Sequence, residues 1–431
     1  MKTIIKFLSI TALVVMGAIL AGCAKELDVN PVAEDNIVIC TTTVTLDADD
    51  TKALSIEGDK GVKTFAEGEQ VALRYYIYRT KWDKAISQPL SKTDISADGK
   101  TATLTFTLTD PDKNGSIKYY YPAAMANYDI NGNVDYKQII MQNGTLASLS
   151  ANLDLAIFSG NMSGTDLPAN VTLTNQLAIL AITLKNSDGS SDITNTITGL
   201  TLSDGTDTYS ISRSAAAGPI YVAIKPVNNK NIRITATSGS NSYTKSLTGK
   251  TYAAGNGYNV SWRMESAPTL TLDSPSVGQV IGNNGRNYAY ASLPSGVTAV
   301  AMIAYVSGKH GLAIAMADEK SGNDIYWIPA MAAAAAHTPA FSGGTWKIPS
   351  NDEWKQMLEK VNGYENYKYD KLNSKISSAG GSTLAVDTYW TSTPSGNNVV
   401  IIGFNSGGSV AVNSVSGKDT GGIRARSCLA F

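Results

Sequence analysis

Two histidines, His310 and His337, and three cysteines, Cys23, Cys40 and Cys428, are the chain's whole supply of imidazole and thiol. A zinc centre, a Cys–His nucleophile or a haem site needs several such groups at short spacing. The histidines have no partner at metal-ligand spacing, so each reads as a structural side chain. Asp318-Glu319 and Asn323-Asp324 supply hard oxygens, but a calcium shell takes roughly six to eight of them in a complete set. Gly278, Gly282 and Gly285 are not spaced as a dinucleotide loop, and the pattern around them runs from turn to strand. The reading is therefore no catalytic residue, no metal and no cofactor, and the composition leans away from an enzyme. Recognition chemistry remains. Tyr326, Trp327 and Trp390 offer apolar ring faces, and Asn397 and Asn398 offer amides that both donate and accept, groups suited to a sugar or a peptide. Against this, large aromatics usually serve burial, which is the competing reading of Trp390.

The elements that must position these groups belong to a chain of 431 residues, 43% hydrophobic and 16% charged, too apolar to be intrinsically disordered. Its 35 Lys+Arg against 36 Asp+Glu leave a net charge of −1 with no basic run, so nucleic acid is not an implied partner. Lys2 and Lys6 precede an apolar core from Phe7 to Leu20, the arrangement of a signal peptide over residues 1–22. No later stretch approaches about 18 uninterrupted apolar residues. Cys40 and Cys428 lie near opposite ends of the chain and read as buried free thiols, the alternative being a disulfide between them in an oxidising compartment.

Most of the chain has strand patterning punctuated by Gly, Asn, Asp and Ser. From Thr101 to Thr109 apolar residues alternate with threonine, placing Ala102, Leu104, Phe106 and Leu108 on one face. Further strands are expected at Cys40 to Leu46, Val71 to Tyr78, Val171 to Leu184, Ile220 to Ile224, Asn231 to Thr237 and Tyr258 to Trp262, in antiparallel sandwiches. Boundaries are expected near Asp166-Leu167-Pro168 and at Ala267-Pro268. Ala332 to Ala336 predict a short helix. Ser350-Asn351-Asp352-Glu353 has capping-box spacing, and Trp354, Met357, Leu358 and Val361 follow as a helical apolar stripe, ended by Gly363. Strand patterning returns at Val399 to Phe404, Val410 to Val415 and Ile423 to Phe431. The expected fold class is mainly β: two β-sandwich modules, 36–165 and 166–266, then an α+β module, 267–431.

Four resemblances follow. Leu20-Ala21-Gly22-Cys23 resembles the bacterial lipobox, which implies acylation (palmitate) of Cys23. The charged run after it, in the tether 23–35, is similar to export signals of Bacteroidetes surface lipoproteins. Together they imply display at the cell outer membrane. Over residues 36 to 265, Thr51-Lys52-Ala53-Leu54, Phe65-Ala66-Glu67-Gly68-Glu69, Tyr119-Tyr120-Tyr121-Pro122, Asn152-Leu153-Asp154-Leu155 and Asn175-Gln176-Leu177-Ala178-Ile179 resemble successive blocks of the Bacteroidales fimbrillins. That resemblance implies transthyretin-like sandwiches, loss of an N-terminal strand to a trypsin-like protease at Lys52, and polymerisation by strand addition from other fimbrillin subunits. Lys52 stands where many members have arginine, and Asn175 where members often have histidine.

Over residues 275 to 431, Trp346-Lys347-Ile348-Pro349-Ser350 with Glu353-Trp354, then Tyr389-Trp390-Thr391-Ser392-Thr393, then Ile423-Arg424-Ala425-Arg426 resemble the blocks of C-type-lectin-like modules. The calcium-binding loop sequences of such lectins are missing. Related formylglycine-generating enzymes use a cysteine pair that has no counterpart beside Cys428. In such modules the first and last strands pair, which implies that Ile423 to Phe431 is built into its own sheet and cannot be lent. The combined expectation is a fimbrial tip or accessory adhesin with a host, bacterial or matrix ligand. The alternative is a monomeric surface glycan-binding lipoprotein for nutrient capture.

Overall fold

Threonine alternation yields the strand it predicts: Thr101–Thr109 buries Ala102, Leu104, Phe106 and Leu108 and turns its threonines outward. Each apolar side chain buried in this way contributes about 1.5–3 kcal/mol, alanine less. The computed structural model describes residues 36–46, 55–57, 60–62, 64–77, 81–126, 136–320, 325–362, 368–417 and 420–431. The leader 1–22, the tether with Cys23, Lys52, Asn323, Asp324 and Gly363 lie outside the described residues. The fold is mainly β, as expected.

The first sheet has seven strands, in spatial order Lys81–Ile86, Ala72–Ile77, Ser116–Tyr121, Ala156–Asn161, Asn170–Asn175, Ile37–Leu46 and Thr101–Thr109. It curls round one core: the amide of Gln88, just past one edge strand, donates to the Thr105 carbonyl of the other at 2.9 Å. The opening strand Ile37–Leu46 lies antiparallel to Thr101–Thr109 over its length. It runs parallel to Asn170–Asn175 only from Thr43 to Leu46.

The second core lies between two sheets. One is three-stranded, Ile220–Ile224, Ala178–Lys185 and Gly257–Arg263; the other has six strands, from Glu265–Ser266 to Met141–Gln142. Parallel pairs join Ala178–Lys185 to Gly257–Arg263 and Thr208–Ser212 to Met141–Gln142, so the sandwiches are not purely antiparallel.

Two expectations change here. The run from Val171 to Leu184 is two strands, which part at Gln176 and enter different sheets. The boundary expected near residue 166 falls between Ala156–Asn161 and Asn170–Asn175, neighbours in the first sheet. Its turn-rich segment is a tight turn closed by reciprocal hydrogen bonds between Ser163 and Asp166, not a linker. The chain crosses earlier: Ile139, Leu149, Leu153 and Leu155 pack in the second core before the chain returns. Gln142, 7% exposed, anchors that excursion by donating to the carbonyls of Ile139 and Ala223 and accepting from the Ala223 amide.

At Ala267 the chain leaves the second region, and Leu270 donates to Ser342 in the C-terminal one. There a six-stranded sheet has the order Asn287–Tyr288, Val280–Gly282, Ala299–Ser307, His310–Ala315, Cys428–Ala430, Thr345–Lys347. A separate sheet holds Thr388–Ser395, Asn398–Phe404 and Val410–Ser416. The predicted capping box forms: Ser350 Oγ accepts from the Glu353 amide at 3.1 Å and Glu353 Oε2 from the Ser350 amide at 2.8 Å. Helix Asn351–Asn362 then buries Trp354, Met357, Leu358 and Val361. The alanine run lies within a helix that starts earlier, Trp327–Ala335.

The closing strand is shorter than the run from Ile423 suggested, only Cys428–Ala430. It pairs with His310–Ala315 and Thr345–Lys347, not with the first strand of its region. Both faces are covered, since Cys428 and Leu429 enter separate cores.

Candidate functional site

Ahead of the closing strand, two arginines fix the approach of the chain. Arg426 is 1% exposed; its Nε donates to Asp318 Oδ1 at 2.6 Å and its Nη1 to the carbonyls of Ala315 and Ser382, both at 3.0 Å. Arg424 donates to Asp387 at 2.9 Å and to Asp318 Oδ2 at 3.2 Å. The bond to Asp387 first, then that to Asp318, holds its guanidinium above the ordinary arginine range against the opposing effect of burial. Tyr389 donates to the same Asp318 oxygen at 3.3 Å and accepts from the Ala385 amide. Burial first, then the Asp318 charge, push its phenol up to about 12. Asp318 is thus committed to two guanidinium groups and a phenol, so it is not an available cation ligand. Glu319 is likewise engaged, its Oε1 lying 2.8 Å from His337 Nδ1. The His337 ring packs on Trp346 with centroids 4.0 Å apart.

Glycine matters once in this closure. Gly311 exchanges backbone hydrogen bonds with Phe431, and a Cβ there would collide with the Phe431 ring and the Tyr305 carbonyl.

A cleft of about 700 Å³ lies between the six-stranded sheet of the second region and the C-terminal region. One wall is the turn from Ser203 to Thr208, where Asp204 Oδ1 accepts from the amides of Thr206 and Asp207 and Gly205 takes φ +85°. The other is the alanine-rich helix, whose small side chains at Ala333 and Ala336 leave the space open. Arg233 joins the walls, its Nη1 donating to Thr338 Oγ1 at 3.4 Å. Tyr326, 38% exposed, also lines the cleft and carries the Lys137 ammonium 4.6 Å from its ring centroid.

The sequence-derived surface of aromatic rings and amides does not assemble as one site. Tyr326 lines the cleft; Trp327 is half-buried, its indole donating to the Thr391 carbonyl at 2.8 Å. Trp390 is a correction: fully buried, it donates to the Ile325 carbonyl at 2.7 Å and belongs to the core. Asn397 and Asn398 stand at the hairpin between Thr388–Ser395 and Asn398–Phe404 and do not line the cleft. Sequence reasoning missed Arg233 and the turn at Asp207 because they come from strands that hold no motif and meet Tyr326 only through tertiary packing.

No family model and no curated protein matches the chain. Among solved structures it is similar to a fimbrial assembly protein from Parabacteroides distasonis, with 11% identity over 52% of this chain and 92% of that one and a TM-score of 0.28. It is also similar to a proposed cell adhesion protein from Bacteroides fragilis, at 12% over 51% and 92% with 0.31. A third is the minor pilin of Streptococcus agalactiae, at 10% over 55% and 100% with 0.22. Likeness at these scores does not place the chain in a family.

Proposed function

We propose that this chain is a surface-anchored fimbrial tip or accessory subunit, an adhesin that accepts a neighbour's strand and presents its C-terminal region to a ligand. The observation that carries the reading is the closing strand, paired on both edges, buried on both faces and approached through Arg426. A strand so engaged is not available for lending. The accepting half is supported by the opening strand, which lies between Thr101–Thr109 and Asn170–Asn175. A cut at Lys52 would free it, and the two exposed edges would offer unpaired backbone groups to an incoming strand. Acylation at Cys23 would hold the chain at the outer membrane.

The test treats the purified chain with a trypsin-like protease and then offers it a purified fimbrial shaft subunit. Expected are loss of the segment up to Lys52, identified by mass, and one-to-one capture of the subunit without growth into fibres. Retention of the opening strand with no capture, or self-polymerisation through the Ile423 to Phe431 segment, overturns the reading. The 700 Å³ cleft favours a second reading, a monomeric glycan-binding lipoprotein. Glycan binding without any subunit capture would select it.

A further inference from the structure

The cleft between the second and C-terminal regions has a chemistry that narrows what it takes. Its volume lies within the ~300–1,000 Å³ of small-molecule sites. Its walls differ in kind. The turn side presents the hydroxyls of Ser203, Thr206 and Thr208; Thr208 already donates to Ser203 Oγ at 2.9 Å, which leaves Ser203 a proton and Thr208 a lone pair for a ligand, while the helix side presents Pro329, Ala333 and the Tyr326 ring, which has the Lys137 ammonium 4.6 Å from its centroid. A pyranose ring has this same division, with hydroxyls at its rim and C–H groups on its faces, and aromatic rings cover such faces well.

Charge adds a second constraint. The cleft's two carboxylates are already answered within the protein: Asp207 by Lys225 at 2.8 Å and Glu319 by His337 at 2.8 Å. Of the cleft's two cations, Lys320 has a partner of its own, and Arg233 is exposed with one long bond, to Thr338. A guanidinium held across the mouth of a cleft is a bidentate receptor for a planar carboxylate. Away from the cleft's lining, further hydrogen bonds join the second and C-terminal regions. Gly343 donates to the Ser240 carbonyl, and Ser342 Oγ accepts from the Ser242 amide.

We infer that this cleft binds a carboxylated saccharide, with Arg233 on the carboxylate, Tyr326 against a ring face and the turn hydroxyls on the ring's edge. The inference rests on the adhesin reading for its biological sense and deepens it by naming the ligand class.

The experiment is calorimetric titration of the unassembled full chain. One arm compares trigalacturonate with its methyl ester, which keeps the linkage and removes the charge; the other compares 3′-sialyllactose with lactose. Expected is a preference of about tenfold or more for the charged member of at least one pair, and the arm that shows it identifies the source of the carboxylate. Arg233→Gln abolishes the preference and Tyr326→Ala weakens both members, each with an unchanged melting midpoint because both side chains are exposed. Equal binding of charged and neutral members, binding of neither pair, or a preference that survives Arg233→Gln overturns the inference. Subunit capture is measured separately, so saccharide binding without capture sinks the tip reading alone, and capture without saccharide binding sinks this one alone.

Discussion

The first and last described strands are secured in opposite ways. The opening strand is ten residues long and depends on alternation: Cys40, Val44 and Leu46 face the core while Ile37 and Ile39 are 63% and 72% exposed. On one edge it is paired only from Thr43 onward. The closing strand has three residues, yet both edges and both faces are covered and a buried arginine guards its approach. Strand length is therefore a poor guide to how firmly a strand is held. A long strand with one partly free edge is the one a competitor can replace, since strand exchange needs unpaired backbone to start from.

The sharpest way to break this contrast is Arg426→Ala. It leaves Asp318 short of a buried partner and the carbonyls of Ala315 and Ser382 without donors. Removing one member of a buried ion pair costs about 3–5 kcal/mol. Chemical denaturation is expected to show a loss of that size, with the C-terminal region unfolding first; a loss under 1 kcal/mol would mean that the closing strand is not locked by charge.

Tyr389 gives a pH test of the same lock. Its folded-state value of about 12 lies above the ordinary phenol value of ~10, so the fold holds the proton more tightly than the unfolded chain. The stabilisation is fully present below pH ~10 and is lost as pH rises through about 12. The slope there is up to about 1.4 kcal/mol per pH unit, and Tyr389→Phe should remove this contribution. Melting curves of the two proteins across alkaline pH check it.

Each strand also carries a buried free thiol, Cys40 in one and Cys428 in the other. Burial pushes both thiols up, helped at Cys40 by the Asp166 charge. If the opening strand is the one that lifts, native-state alkylation should modify Cys40 at least about tenfold faster than Cys428. Equal rates would remove the distinction between the two ends.

Where periodicity was strong, the fold was legible. The alternation at Thr101–Thr109 and the box Ser350 to Glu353 both report on neighbours within a few residues, and both stand as read. The split at Gln176 was not legible, because Asn175 is the single turn-type residue in the run Val171 to Leu184, with no Gly or Pro beside it, and the separation into two sheets is imposed by which cores lie nearby. The role of Met141–Gln142 in the second sheet was hidden for the same reason. Of the candidate site, Tyr326 was found because an aromatic ring offers an apolar face to a ligand, a property of residue type alone. Arg233 was not, because a lone arginine in a strand looks like any solvated face until the helix opposite it is in place. Trp390 was weighed as surface or core on residue type alone, and its burial followed from packing against Ile325 and Ile348.

A smaller effect is expected from Ser350→Ala, which removes one half of the capping box beneath the closing strand. The cost is about 1 kcal/mol. Because Trp354 and Met357 share a core with Cys428, alkylation of Cys428 should quicken a few-fold while Cys40 is unmoved. Quickening at both sites would mean that the two ends open together.

The smallest effect expected is at Ile39. Its side chain points away from the core, opposite Thr107 on the neighbouring strand, so Ile39→Thr gives up little buried area. Away from buried features, such changes stay within about 0.5 kcal/mol. Denaturation of this variant therefore tests the outer face of the opening strand directly. A loss above 1 kcal/mol would show that the outer face of the opening strand is packed after all. The partly unpaired edge would then not make that strand the replaceable one.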